Sequence, residues 1–180
     1  MQELAEVGYG RLSIEAVARR AGVGKTAVYR RWDSKLELVL EIVSEVAGQR
    51  LPVPDTGTLR GDLTALARSL ELALRHPLAS QIIPDLLVEA ARTPQIADTL
   101  LRTLRTHQSD IATTMIGRAV ERGEVAADVD AELALDLILG SLYWQLAIMR
   151  SKPPKTYVSA LVEVVVRGLA GGSSAAADRT

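Results

Sequence analysis

The apolar positions of the chain recur at helical spacing along almost its whole length. Near the N-terminus, Ile14, Val17 and Ala18 fall at i, i+3 and i+4, which gives a short helix one apolar face. The same spacing predicts later helices over residues 59–75, 78–92, 94–122, 130–150 and 155–169. The pattern therefore predicts an all-α protein.

Residues 13–35 predict two short helices around a tight turn. Ser13 is a good N-cap for the first helix, because its hydroxyl can accept a hydrogen bond from an amide of the first turn. Gly22 can adopt the left-handed conformation that a sharp turn requires. A second helix is expected over about residues 25–31. This order is typical of a helix-turn-helix at about residues 13–32, whose second helix enters the major groove of DNA.

The second helix is expected to turn Ala27 and Val28 inward and its polar side chains outward. Residues 11–35 carry seven basic and two acidic side chains, a net charge of +5, whereas the whole chain has a net charge of −1. A positive stretch on a mildly acidic chain favours contact with phosphate.

A further helix is predicted at residues 34–47, where Ser34 and Glu37 form a capping box that satisfies first-turn amides. Two prolines and two glycines follow in residues 48–58, which indicates a connection and a domain boundary. The predicted division is a DNA-binding domain at 1–47, a linker at 48–58, a larger helical domain at 59–169 and a disordered tail at 170–180.

Composition narrows the possible classes of protein. The chain has no cysteine, which fits a cytoplasmic protein, and His76 and His107 are not in a metal-ligand spacing. The N-terminus does not have the pattern of a signal peptide. Leu133–Met149, the most apolar stretch, has 17 residues and includes Asp136 and Gln145, fewer than the roughly 20 apolar residues of a membrane span. We expect a buried helix there, no membrane and no metal or cofactor.

An enzyme is not expected either. The sequence offers no Ser/His/Asp set and no metal cluster, and GVGKT at residues 22–26 is an incomplete phosphate loop with no strand before it.

The stretch GYGRLSIEAVARRAGVGKTAVYRRWDSKLEL, residues 8–38, resembles the N-terminal DNA-binding domain of the tetracycline-repressor (TetR) family. The matching positions are Gly8, Tyr9, Ser13, Val17, Ala18, Ala21, Gly22, Val23, Lys25, Tyr29, Trp32, Ser34, Lys35 and Leu38. The family's first helix is usually longer, so the seven residues before Gly8 imply a shortened first helix.

The resemblance implies a three-helix domain with a helix-turn-helix, joined to a larger helical domain for ligand binding and dimerisation. It also implies a transcriptional regulator, a ligand-responsive repressor that binds an inverted-repeat operator in double-stranded DNA as a homodimer. An alternative is an all-helical small-molecule-binding or interaction protein with weakened DNA binding.

The helix at residues 130–150 is apolar nearly all round, so it must be covered on more than one side. It can lie centrally in a monomeric bundle, or it can form a four-helix bundle with the final helix and a second copy of both. The resemblance implies the dimer, through the last two helices.

Eight residues are candidates for contact with DNA. Lys25 or Arg30 can bind guanine edges, and Thr26 or Ala27 can contact a thymine methyl group. The full set is Ser13, Lys25, Thr26, Ala27, Tyr29, Arg30, Arg31 and Lys35.

A pocket for a small, largely apolar effector is implied by the resemblance alone. Its candidate lining is Leu87, His107, Ile111, Met115, Tyr143, Trp144 and Met149, each of which can instead be an ordinary core or surface residue.

Overall fold

The computed structural model of the chain describes residues 2–46 and 53–176, and the described part contains helices and no strands. The all-α prediction is confirmed. The helices are α1 (Gln2–Arg11), α2 (Ile14–Ala21), α3 (Lys25–Tyr29), α4 (Lys35–Val46), α5 (Leu59–Arg75), α6 (Pro77–Arg92), α7 (Pro94–Glu121), α8 (Ala131–Tyr143), a π-helical segment (Trp144–Ile148) and α9 (Tyr157–Ala176).

Helices α2 and α3 form the helix-turn-helix that the sequence predicts. The Ser13 hydroxyl accepts a hydrogen bond from the Ala16 amide at 3.1 Å and so caps α2. Gly22 ends α2 with φ 69° and ψ 25°, the left-handed conformation that favours glycine. Helix α3 ends at Tyr29, two residues before the expected end.

The inward-facing residue of α3 is Val28, which is 4% exposed, and it packs with Ile14, Ala18 and Leu38. Ala27 is exposed, so the expectation that it faces inward is wrong. Successive residues lie about 100° apart around a helix. A five-residue helix that packs on one side therefore buries one residue, here Val28, and leaves the preceding residue, Ala27, in solvent.

A compact first unit joins α1 to α4 with residues 73–102, which hold the end of α5, all of α6 and the start of α7. Its core is shared between these helices and consists of Leu4, Tyr9, Leu12, Leu36, Val39, Ile82, Leu86 and Leu100. Helix α6, which the sequence pattern assigned to the larger domain, therefore packs against α1 and α4.

The start of α4 is capped nearly as expected. The Ser34 hydroxyl accepts from the Glu37 amide at 3.1 Å. The Glu37 carboxylate accepts from the Asp33 amide at 2.8 Å, one residue before the predicted N-cap. The predicted end of this helix at residue 47 and the linker residues 48–52 lie outside the described residues.

The second unit contains the rest of α5 and α7 with α8, the π-helical segment and α9. Asp62 on α5 is fully buried and accepts hydrogen bonds from the Thr56 amide at 2.6 Å and from Arg122 at 3.4 Å. Glu124, just past α7, accepts from the Leu59 amide at 2.7 Å. These bonds hold the start of α5 against the end of α7.

Helix α8 begins at the predicted cap, where the Asp130 carboxylate accepts from the Leu133 amide at 2.9 Å. The single helix expected to run to residue 150 ends instead at Tyr143 and continues as the π-helical segment. Its buried residues are Ala134, Leu135, Ile138 and Leu142. The expected burial of this helix is therefore found on one side only. By length and composition alone, Ala131–Ile148 is also apolar enough to span a membrane.

Helix α9 runs to Ala176, seven residues beyond the expected end at residue 169. The stretch predicted to be a disordered tail is therefore helical as far as it is described, and residues 177–180 lie outside the description. Once a helix is nucleated, each added residue gains one backbone hydrogen bond, which favours this extension.

We expect Asp130→Ala to lower the free energy of unfolding by about 1 kcal/mol, because it removes the side-chain cap of α8. Asp128→Ala is the matched control, since this exposed acid lies two residues earlier and its removal makes the same change in charge. Urea titration of both variants measures the difference, and equal losses would contradict the capping role.

Candidate nucleic-acid interface

Most of the predicted DNA contacts are exposed. Six of them lie on or just after α3, and they are Lys25, Thr26, Ala27, Tyr29, Arg30 and Arg31. Ser13 and Lys35 are half-buried at the starts of α2 and α4. The surface around α3 therefore presents side chains that can bind phosphate, guanine and thymine.

Lys25 is held from two sides. Its ammonium forms an ion pair with Glu15 of α2 and lies 5.4 Å from the centre of the Tyr29 ring. The hydrogen bond between the two side chains lowers the pKa of Glu15 and raises the pKa of Lys25. Both groups are thus charged at neutral pH, and Glu15 competes with phosphate for the ammonium.

Arg31 also has an acidic partner. Its guanidinium donates to the Glu41 carboxylate of α4 at 2.6 Å and lies 4.6 Å from the centre of the Trp32 ring. The Trp32 indole N–H donates to the other oxygen of Glu41 at 2.6 Å. Arg31 is therefore oriented along the α4 side of the surface.

Lys35 binds the C-terminal end of α1. Its ammonium donates to the Tyr9 carbonyl at 3.0 Å and to the Gly10 carbonyl at 3.3 Å, and it lies 4.4 Å from the centre of the Tyr9 ring. Burial, with a smaller contribution from the Glu89 charge, raises the pKa of Tyr9, so its ring is neutral. An ammonium has three donor hydrogens, so one is left for phosphate.

Arg30 differs from these cations. Within residues 2–46 and 53–176 it has no ion-pair or hydrogen-bond partner for its side chain, and it is exposed at the end of α3. The Ser13 hydroxyl uses its oxygen as the cap of α2 and still has its hydrogen to donate. Arg30 is thus the most available charge on this surface, and the Ser13 hydroxyl can still donate one hydrogen bond.

Sequence reasoning missed Glu15 and Glu41 as members of the site. Glu15 lies ten residues before Lys25, and Glu41 lies ten residues after Arg31, so no helical spacing within one helix brings either pair together. Only the packing of α2 and α4 beside α3 reveals them.

The predicted effector residues differ widely in exposure. Met115 is fully buried, and Ile111 and Tyr143 are half-buried. Burial raises the pKa of the Tyr143 hydroxyl. The other four, all exposed, are Leu87, His107, Trp144 and Met149. Leu87 belongs to the first unit and the remaining six to the second.

A cavity of about 340 Å³ lies elsewhere, among α1, α2 and α4. Its lining consists of Gln2, Glu3, Leu4, Leu12, Val17, Arg20, Ala21, Leu38 and Ile42, none of which belongs to the predicted effector set. That set stays a prediction.

A helix-turn-helix that exposes a cationic second helix is a DNA-binding domain, and the protein is of this class. The family profile described as "Bacterial regulatory proteins, tetR family" matches residues 1–42, and the profile "Tetracyclin repressor-like, C-terminal domain" matches residues 53–165. The chain belongs to the TetR family of transcriptional regulators.

Relatives agree with this assignment. An uncharacterized HTH-type transcriptional regulator of Mycobacterium bovis is 37% identical over 164 residues, which cover 91% of this chain and 80% of that protein. The DNA-binding transcriptional repressor TetR of Mycobacteroides abscessus is 33% identical over 153 residues, which cover 82% of this chain and 78% of that repressor.

Solved structures show the same architecture. The TetR family transcription regulator SCO0332 superposes with a TM-score of 0.76 at 29% identity, covering 93% of this chain and 92% of that one. Salmonella enterica GusR superposes with a TM-score of 0.68 at 21% identity, covering 94% and 90% of the two chains, and shows the fold alone.

We expect Arg30→Ala to weaken binding to a duplex that carries the recognised sequence by about tenfold, because it removes an available charge from α3. Arg68→Ala, an exposed arginine of α5, is the control and should bind like the unaltered protein. Fluorescence anisotropy titrations of labelled duplex measure both, and equal affinity of the two variants would contradict the role of Arg30.

We expect Glu15→Gln to raise affinity for random duplex and to steepen its salt dependence by roughly one unit of slope, because Lys25 becomes free to displace a counterion from phosphate. Asp98→Asn makes the same charge change at an exposed position of α7 and should leave the slope unchanged. Titrations at several salt concentrations give the slopes, and the same slope in both variants would show that Glu15 does not restrain Lys25.

Proposed function

We propose that the protein represses transcription by binding an inverted-repeat operator as a homodimer and releasing it when a small, largely apolar effector binds. The observation that carries this proposal is the exposed α3, whose available Arg30 lies beside Thr26 and Tyr29 on the outer side of the helix-turn-helix. In a major groove these side chains would reach base edges and phosphates.

Dimerisation is supported by apolar side chains that this chain leaves in solvent. They lie on α8, on the π-helical segment and just after it, and on α9, and they are Leu133, Leu137, Trp144, Ile148, Met149 and Val164. Leu133 and Leu137 are one helical turn apart and face away from the buried side of α8. A second copy of α8 and α9 would cover such a surface with the two-fold symmetry that an inverted repeat requires.

Effector binding is proposed for the second unit, from Met115, Ile111 and Tyr143, which are at least half-buried there. The match of residues 53–165 to the family's C-terminal domain supports this placement. The protein would act by binding alone, without catalysis, in the cytoplasm where bacterial DNA lies.

Selection of bound duplexes from a random DNA library tests the proposal. The unaltered protein should enrich an inverted repeat. Leu137→Glu should enrich single half-sites or nothing, because a buried charge disfavours the dimer. Leu72→Glu, at a leucine 74% exposed on α5, is the matched control and should enrich the inverted repeat.

Failure of the unaltered protein to enrich any sequence would refute DNA reading and leave a helical small-molecule-binding or interaction protein. An inverted repeat enriched equally by Leu137→Glu would place the dimer contact away from α8.

A further inference from the structure

Glu41 on α4 receives two short hydrogen bonds from residues that directly follow the recognition helix α3. One carboxylate oxygen accepts from the Arg31 guanidinium and the other from the Trp32 indole N–H, each at 2.6 Å. The Arg31 guanidinium also lies over the Trp32 ring, 4.6 Å from its centre. The bond from Trp32 is partly buried and the Glu41 side chain is 27% exposed, whereas the Arg31 side chain is 62% exposed. The charge-assisted bond from Trp32 is therefore the better shielded of the two.

These bonds act at the C-terminal end of α3. The helix has five residues, and after it the amides of Arg31 and Trp32 both donate to the Val28 carbonyl at 3.0 Å. Trp32 also packs against the core that holds Val28. Glu41 therefore fixes the end of α3 to α4 through two side chains.

We propose that Glu41 is a positioning residue for DNA reading, which sets the orientation of α3 from α4, and that Arg31 serves this contact and not a base. This inference rests on the proposed DNA reading. It differs from the initial expectation, in which Arg31 was a contact to DNA.

Electrostatics alone makes the opposite prediction for removal of Glu41. Loss of an acid close to a polyanion raises affinity for every duplex, whatever its sequence. Loss of the positioning contact lowers affinity for the operator and spares random duplex, because sequence is read only by correctly placed side chains. The ratio of the two affinities therefore separates the two roles.

The experiment compares Glu41→Gln, Trp32→Phe and the double variant, in the full chain, on the selected operator and on random duplex. Glutamine keeps the size of the side chain and loses its charge, and phenylalanine keeps a ring and loses the N–H. We expect Glu41→Gln to lower the operator-to-random ratio roughly tenfold, the loss that one charge-assisted hydrogen bond carries. Because both substitutions break the same contact, the double variant should lose little more than Glu41→Gln.

Glu6→Gln is the matched control, since it removes an exposed acidic partner of Arg20, which is not among the predicted DNA contacts. By its charge alone it should raise affinity for both duplexes and leave their ratio unchanged within about twofold. A ratio in Glu41→Gln that is unchanged, or that matches Glu6→Gln, overturns the proposal. The proposal is also overturned if the loss in the operator-to-random ratio of the double variant, expressed as a free energy, equals the sum of the losses of the two single variants.

A second readout does not depend on an operator. Amide hydrogen exchange of residues 25–32 should be faster in Glu41→Gln than in the unaltered protein, whereas residues 59–75 of α5 should exchange alike in both. Unchanged exchange in residues 25–32 overturns the positioning role even if no operator exists. Absence of any preferred sequence in the unaltered protein refutes the proposed function instead, so the two failures are distinguishable.

Discussion

A helix of five residues cannot hold its shape in water, so the surface that carries the candidate DNA contacts depends on how α3 is supported. Val28 provides the apolar part of that support by packing with Ile14, Ala18 and Leu38. Leu38 is on α4, and α4 in turn contributes Leu36 and Val39 to the core shared with α1 and α6. Helix α3 is thus supported by both α2 and α4, and α4 also belongs to the core that includes α6.

The helix-turn-helix is less positive than the count of basic residues in the sequence indicates. The net charge counted over residues 11–35 leaves out acidic residues that lie outside that range. Glu3 and Glu6 of α1 both bind Arg20, and Glu41 of α4 binds Arg31. Exposed pairs of this kind add little to stability. Their effect is to restrain individual cations, which leaves Arg30, directly after α3, as the readily available one among the candidate DNA contacts.

Features that rest on local chemistry could be predicted from the sequence. Ser13 and Asp130 cap the helices that follow them, and Gly22 adopts the left-handed turn, because each role depends only on neighbouring residues. The spacing of apolar residues was likewise enough for the helices and for the all-α class.

Features that rest on packing between distant segments could not be predicted. No pattern indicates that Ile82 and Leu86 of α6 join the core of α1, or that α8 becomes π-helical after Tyr143. The inward direction of Val28 in place of Ala27 depends on the angle at which α3 meets α2 and α4. For the same reason the cations among the candidate DNA contacts could be identified from the sequence, whereas Glu15 and Glu41 could not.

In the proposed function, two copies of α3, one from each copy of the chain, read base edges in the major groove. Methylation of guanine N7, an atom that lies in the major groove, measures this directly on an operator duplex with and without the protein. We expect protection of guanines in two half-sites related by inversion, with their centres on one side of the duplex. Guanine N7 atoms that stay fully reactive, or that are protected evenly along the duplex, would contradict it.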